Sequence, residues 1–353
     1  MKLTVENGSF AYPKGPQIFS DISFEVNSGE ILAILGPNGA GKTTMLRCMT
    51  GMLRWKSGRS LLDGENIRTM SASRQWKKMA YVPQARAASS AYTAFQTVLL
   101  GRSSRIGVLS SPKQEDLEAA RRAMERLGIE HLAEKSCAAV SGGELQMILI
   151  ARALASEPEL LILDEPESNL DFRNQLIVLD TVSRLAQEGM ACVFNTHYPA
   201  HALQRADKSL ILSKGGSCVF GPTGKVITEE NIRNAFGVNA MIGEIETPES
   251  TLRNVMPLSL AGEEDGAEKP GGDERVIAAI TMIADSNDMA DRINALFHEY
   301  SHLMIGRMGM PHRECGLYII YTAVDGPEED IRELTHRLGL LPGVHVKATQ
   351  WKP

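Results

Sequence analysis

Apolar residues fall along this chain in two different rhythms, and the rhythms divide it. In the first part three short runs are apolar without a break: Ile31-Leu32-Ala33-Ile34-Leu35, Leu160-Leu161-Ile162-Leu163 and Met190-Ala191-Cys192-Val193-Phe194. Runs of this length are the pattern of strands buried on both faces of a parallel sheet. Met1 to Glu6 alternates instead, and Leu3 to Phe24 predicts short strands around a turn at Pro13-Lys14-Gly15-Pro16. Gly58 to Ile67 reads as a return strand and turn, and Met79 to Val82 as a short strand stopped by Pro83. From Thr93 to Lys135 the period becomes helical. Leu117, Ala120, Met124 and Leu127 form one apolar stripe, read as the core of an inserted helical lobe. A further helix opens at Val140-Ser141-Gly142-Gly143-Glu144 and runs to about Ser156.

From about Ala261 the pattern stops. Gly262-Glu263-Glu264-Asp265-Gly266-Ala267-Glu268-Lys269-Pro270-Gly271-Gly272 is acidic, rich in Gly and Pro, and unable to form a core. Order then returns. Val276 to Ile283 predicts a buried strand, and Met289, Ile293, Leu296, Phe297 and Tyr300 share one face of a helix. Strands follow around Leu303 to Arg307 and over Gly316 to Val324. Pro327-Glu328-Glu329 starts a second helix that Gly339 ends, and Val344 to Ala348 alternates as a last strand. The order β-α-β-β-α-β is that of a small ferredoxin-like α+β domain. The expected division is therefore a domain over residues 1–260, a linker over 261–274 and a second domain over 275–353.

Composition sharpens this picture at three points. A chain of 353 residues suits two domains, and a net charge of −6 argues against nucleic acid as the main partner. The cysteines (Cys48, Cys137, Cys192, Cys218 and Cys315) are odd in number and scattered, which suits reduced thiols rather than a disulfide frame. No apolar run approaches the roughly twenty residues of a membrane-spanning helix, and the N-terminus lacks a signal peptide's apolar core. Work at a membrane would be done from its side.

The chemistry gathers at the ends of the apolar runs. Gly36-Pro37-Asn38-Gly39-Ala40-Gly41-Lys42-Thr43 fits the phosphate-loop pattern G-x-x-x-x-G-K-[ST], between a strand and the helical stretch Thr44 to Met49. Its glycines let backbone N–H groups turn inward on phosphates, and the helix adds its positive end. Lys42 would reach the β- and γ-phosphates, and the Thr43 hydroxyl would ligate Mg²⁺. Asp164 and Glu165 end the second run, where α/β sheets place ligands. Asp164 would orient Mg²⁺ through its water shell, and Glu165 would polarise the attacking water. His197, after the third run, can donate to a γ-phosphate. Gln84 could bring one amide to the site's edge, although by itself it reads as a surface residue. Tyr12 could stack on an adenine or be a half-buried strand tyrosine, and both readings stay open. Ser141 and Glu144 have capping-box spacing; the cap is favoured on that feature alone, while the same helix end could hold a phosphate.

The phosphate loop, Gln84, Ser141-Gly142-Gly143-Glu144, Asp164-Glu165 and His197, in this order, resemble the ATP-binding-cassette (ABC) ATPases over about residues 1 to 255. The resemblance implies an α/β P-loop NTPase domain with a helical subdomain, binding ATP and Mg²⁺. It implies ATP contacts at Tyr12, at Gly36 through Thr43, and at Thr44, with Lys42, Glu165 and His197 catalytic and Thr43, Gln84 and Asp164 serving Mg²⁺. It further implies that Ser141, Gly142 and Gly143 bind the ATP held by a second subunit, and that Ser168 to Asp171 forms the dimer-contact loop. The sequence departs from the family's pattern at Val140, where leucine is usual, and at Glu167, where threonine commonly follows the proline. Neither touches phosphate in this scheme, so no loss of activity is expected.

Val98-Leu99-Leu100-Gly101-Arg102, Leu170-Asp171-Phe172-Arg173-Asn174-Gln175 and the segment from Gly221-Pro222 to Val238 are similar to ATPases of importers for iron–siderophore, haem and cobalamin. That similarity implies a homodimer at the cytoplasmic face of the membrane, a separate permease, and a substrate-binding protein. The alternative is a soluble cassette ATPase of metal-cofactor assembly without a permease; the acidic charge and the lack of a long coiled-coil insertion weigh against nucleic-acid work. The tail resembles a small ACT-like family described as regulators of the iron-only hydrogenase system, at His298-Glu299-Tyr300, Ile305 to Pro311, and Leu341-Pro342-Gly343-Val344. Five of the eight histidines (His298, His302, His312, His336 and His345) lie there. Most read as surface residues; His302, His312 and Cys315 are the alternative as a metal site.

Overall fold

The computed structural model describes residues 1–84, 92–106, 110–246, 251–261, 275–284, 289–312 and 317–351. In chain order it begins with Lys2–Ala11 (β1), Gln17–Asn27 (β2), Ile31–Leu35 (β3), Lys42–Met49 (α1), Ser57–Leu62 (β4), Glu65–Asn66 (β5), Ala72–Lys78 (α2) and Met79–Val82 (β6). The helices Ala94–Leu99 (α3), Gln114–Arg126 (α4) and Gly142–Leu154 (α5) follow. Then come Leu160–Asp164 (β7), Phe172–Gln187 (α6), Ala191–Thr196 (β8), Pro199–Arg205 (α7), Lys208–Leu212 (β9) and Cys218–Pro222 (β10).

The three continuous apolar runs lie side by side. The main sheet has the order β10-β9-β3-β8-β7-β6, parallel throughout except for β10 at its edge. Strands β3, β7 and β8 are buried at every position, because a parallel sheet covered on both faces has no wet side. Strand β8 runs between β3 and β7, with Thr196 in register with Leu35 and Asn195 in register with Asp164. The loop after β3 and the turn after β7 therefore leave the same sheet edge, on either side of the turn after β8. The second sheet, β2-β1-β4-β5, is antiparallel. Its Leu3, Val5 and Phe24 share one core with Leu32, Ile34, Ile162 and Val193 and with Leu46 and Met49 of α1.

In the helical lobe Ala120, Met124 and Leu127 are buried and Leu117 half-buried, as their spacing predicts. The lobe is tied down by a buried cation. Arg102 donates to Asp116 (2.9 Å), to the carbonyl of Ala155 (3.0 Å) and to Glu157 (3.0 Å), so its charge is paired.

After Thr223–Val226 (α8) and Glu229–Phe236 (α9), Val238–Glu246 (β11) and Thr251–Leu260 (β12) form a two-stranded sheet. The chain has two compact units, and the division falls within this pair: Met1–Gly237 with Ile242–Val255, and Val238–Met241 with Met256–Pro353. Residues 262–274 of the expected linker lie outside the described residues.

The second unit has the expected order: Arg275–Ala284 (β13), Ala290–Glu299 (α10), Met304–His312 (β14), Leu317–Pro327 (β15), Glu328–Gly339 (α11) and Val344–Trp351 (β16). Its sheet is β14-β15-β13-β16, antiparallel throughout. The expected strand over Val276 to Ile283 is buried mainly on one side: Val276, Ala278, Ile280 and Met282 are buried, while the residues between them are half-buried. The reason is that Ile293, Phe297, Ile331, Leu334 and Leu338 of the two helices pack on the even-numbered face. His298, His302, His336 and His345 are exposed, and Cys315 lies outside the described residues. Among the described residues no three His, Cys, Asp or Glu side chains gather as a metal site, and no helix is long and apolar enough to cross a membrane.

Candidate active site

The loop between β3 and α1 owes its shape to glycine. Gly41 has φ +102°, and a Cβ there would lie 2.5 Å from Ile18 Cγ2, so both backbone and space exclude a side chain. At Gly39, with φ +83°, a Cβ would meet nothing within 4 Å: this side of the loop is open. Lys42 opens α1 but folds back across the loop, donating from Nζ to the Gly36 carbonyl at 2.8 Å. Its ammonium is also 3.6 Å from Glu165 Oε1. Burial pushes the Lys42 pKa down, and Glu165 opposes the shift.

Asp164 is gripped from both neighbouring strands and from the loop. Its Oδ1 accepts from Thr43 Oγ1 at 2.9 Å and from Asn195 Nδ2 at 2.7 Å, and its Oδ2 accepts from the Tyr81 hydroxyl at 2.6 Å. Burial, reinforced by the bond to Asp164, pushes the Tyr81 phenol well above its ordinary pKa, so it stays a donor. Glu165 follows with φ +47°, a left-handed conformation that costs a non-glycine residue on the order of 1–2 kcal/mol. Asn195 offsets that cost by accepting the Glu165 N–H on its Oδ1. The Glu165 carboxylate accepts from Gln84 Nε2 at 3.2 Å and from Ser168 Oγ at 3.1 Å.

The other predicted residues are placed as follows. Tyr12 is exposed beside the start of α1, its hydroxyl 3.2 Å from Thr44 Oγ1 and its ring edge-on to Phe10. His197 leaves β8 with its ring centroid 4.1 Å from that of Tyr198, and its Nδ1 is buried with no hydrogen-bond partner among the described residues. Ser141 caps α5, accepting from Glu144 N at 3.2 Å, while Glu144 accepts from Ser141 N at 2.7 Å. These bonds hold the Glu144 carboxyl below the usual carboxylate range. Gly142 and Gly143 form the first turn of α5, and a Cβ on Gly143 would lie 2.4 Å from the Asn174 side chain. Asp171 caps α6 by accepting from Asn174 N at 2.8 Å. The structure thus gathers Lys42, Thr43, Gln84, Asp164 and Glu165 into one bonded cluster, and sets Ser141 to Gly143 and Asp171 at helix starts.

The cluster suits a magnesium triphosphate. Its oxygen donors, Thr43 and Asp164, are hard ligands of the kind Mg²⁺ prefers. The loop's N–H groups, the N-terminal end of α1 and Lys42 supply positive potential for phosphate. Sequence reading overlooked Tyr81 and Asn195, and gave Glu167 no part in the site. Asn195 and Thr196 carried a usable signal: polar residues at the end of a strand buried on both faces must find partners.

This arrangement of loop, carboxylate pair and helical lobe on a parallel sheet is that of the ABC ATPases. The chain belongs to that family, as an ATP-binding, ATP-hydrolysing subunit: the "ABC transporter" family profile matches residues 19–168. The chain is 37% identical over 257 residues to the molybdate import ATP-binding protein of Haemophilus influenzae, covering 72% of this chain and 96% of the relative. It is 29% identical over 304 residues to a cobalamin import ATP-binding protein of Halobacterium salinarum, covering 84% and 75%. Among solved structures, an inward-facing transporter assigned to the metal-chelate type matches with a TM-score of 0.66 and 37% identity, over 72% of this chain and 97% of that one. Residues 275–348 match the family described as an iron-only hydrogenase system regulator.

Proposed function

We propose that this chain drives an importer for a metal chelate such as an iron–siderophore, haem or cobalamin, working with a separate permease and a substrate-binding protein at the cytoplasmic face of the membrane. The observation that carries the reading is the bonded cluster of Lys42, Thr43, Asp164 and Glu165 at one sheet edge. The names of its relatives support a metal-bearing cargo. In the division proposed here, residues 1–260 are the ATPase, 261–274 a tether, and 275–353 a regulatory module.

The roles follow from position. The loop from Gly36 to Thr43 and Thr44 wraps the phosphates of ATP, Lys42 neutralises them, and Tyr12 stacks on the adenine. Thr43, Asp164 and Gln84 would hold Mg²⁺, which when bound withdraws charge from the transferring phosphate. Glu165 accepts a proton from the attacking water, and His197 donates to the γ-phosphate. Ser141, Gly142 and Gly143 of one subunit close over the ATP of the other, with Asp171 at the dimer contact. ATP-driven dimerisation then moves the permease.

The test is ATP hydrolysis by the chain and by Glu165→Gln, each with and without the permease in lipid. The expected result is permease-stimulated turnover that falls about a thousandfold in the variant, with ATP still bound and the dimer trapped. Turnover indifferent to every candidate permease sinks the importer reading. The same assay on a chain ending at residue 260 tests the tail: unchanged response to cargo and metal removes its regulatory role.

A further inference from the structure

Of the two residues that depart from the family's pattern, Glu167 is built into the site's frame. Glu167 is fully buried, and so is Thr196, whose hydroxyl donates to Glu167 Oε1. The same hydroxyl accepts from the Tyr198 N–H at 3.0 Å. These two bonds straddle His197: Thr196 closes the turn onto Tyr198 and anchors it on Glu167. His201 completes the surroundings, its Nδ1 3.6 Å from Glu167 Oε1. Its ring extends a row in which His197 and Tyr198 centroids are 4.1 Å apart and Tyr198 and His201 4.9 Å apart.

Glu167 also belongs to the turn that carries Glu165. Ser168 N donates to the Glu165 carbonyl at 3.1 Å, and Ser168 Oγ to the Glu165 carboxylate at 3.1 Å. One side chain therefore joins the turn after β7 to the turn after β8. Its burial is expensive: a carboxylate needs several donors, and here Oε2 has none among the described residues. A fold that needed only filled volume would be better served by an apolar side chain there.

We infer that Glu167 is a positioning residue for ATP hydrolysis: through Thr196 it holds the His197 ring in register with Glu165, so that the two groups meet the γ-phosphate as one rigid unit. The inference rests on the role proposed for His197, and adds to it what holds that ring in place.

The test compares Glu167→Leu, Thr196→Val, the double variant and Glu167→Gln in the full chain with its permease in lipid, reading kcat, KM for ATP and the thermal midpoint. Glu167→Leu and Thr196→Val should each lower kcat about tenfold, with KM for ATP within about twofold of the parent. The double variant should be no slower than either single one, because both remove the same bond. Glu167→Gln keeps an acceptor for Thr196 and should restore kcat to within about twofold. Parental kcat in folded Thr196→Val, or losses that simply add in the double variant, overturns the inference. His197→Ala separates the layers. If it turns over normally, the underlying role has failed and the inference with it; if it is inactive while Thr196→Val is normal, the inference alone has failed.

Discussion

The two main sheets of this molecule treat neighbouring residues in opposite ways. In β7 every position from Leu160 to Asp164 is buried, whereas in β13 only alternate positions are. The difference comes from what covers them: parallel strands need crossovers that place chain on both faces, and the antiparallel tail packs its two helices on one. It also decides where chemistry can be held. A polar side chain in the parallel sheet cannot turn to solvent, so Asn195 must bond inward, and it does so to the Asp164 carboxylate and the Glu165 N–H. In β16 of the tail, His345 simply points to the exposed face.

Paired substitutions test this contrast most forcefully. Leu161→Ala and Ile162→Ala, adjacent and both fully buried, should each cost about 3 kcal/mol in denaturant melts of the full chain. In the tail, Ile280→Ala should cost about 3 kcal/mol and half-buried Ile283→Ala only about 1 kcal/mol. Equal costs for the tail pair would end the comparison. Next in size, Asn195→Ala strips a donor from Asp164 and the acceptor from the Glu165 N–H. It should lower stability by about 2 kcal/mol and ATP turnover about tenfold; turnover within experimental error of the parent would detach Asn195 from the chemistry. Smallest, Tyr81→Phe leaves Asp164 with its bonds from Thr43 and Asn195, and should cost about 1 kcal/mol and slow turnover about threefold. A larger loss than for Asn195→Ala would reverse the ranking of the two strands that hold Asp164.

The legible part of the chain was the part written in local pattern. Three apolar runs announced the parallel sheet, the glycine spacing announced the loop, and the tail's order of elements followed from period and caps. What stayed hidden was non-local. Nothing near Tyr81 says that its hydroxyl meets a carboxylate eighty-three positions later. Glu167 looked inert because it touches no phosphate, and only the packing of two turns makes it the anchor of Thr196. The one-sided burial of Val276 to Ile283 was hidden for a related reason: an apolar run names a strand without saying how many of its faces are covered.

The place of β8 between β3 and β7 has a consequence for how the protein comes into being. A nascent chain that has emerged only as far as Met190 already contains the phosphate loop and both carboxylates, yet lacks the strand that brings them to one edge. An extended chain must fill the gap of two strand spacings, about 10 Å, before Asp164 and Thr43 can meet. Assembly of the site therefore waits for β8, which ends at Thr196, a little past the middle of the 353-residue chain, and the phosphate loop and the carboxylates cannot work together before that strand is in place.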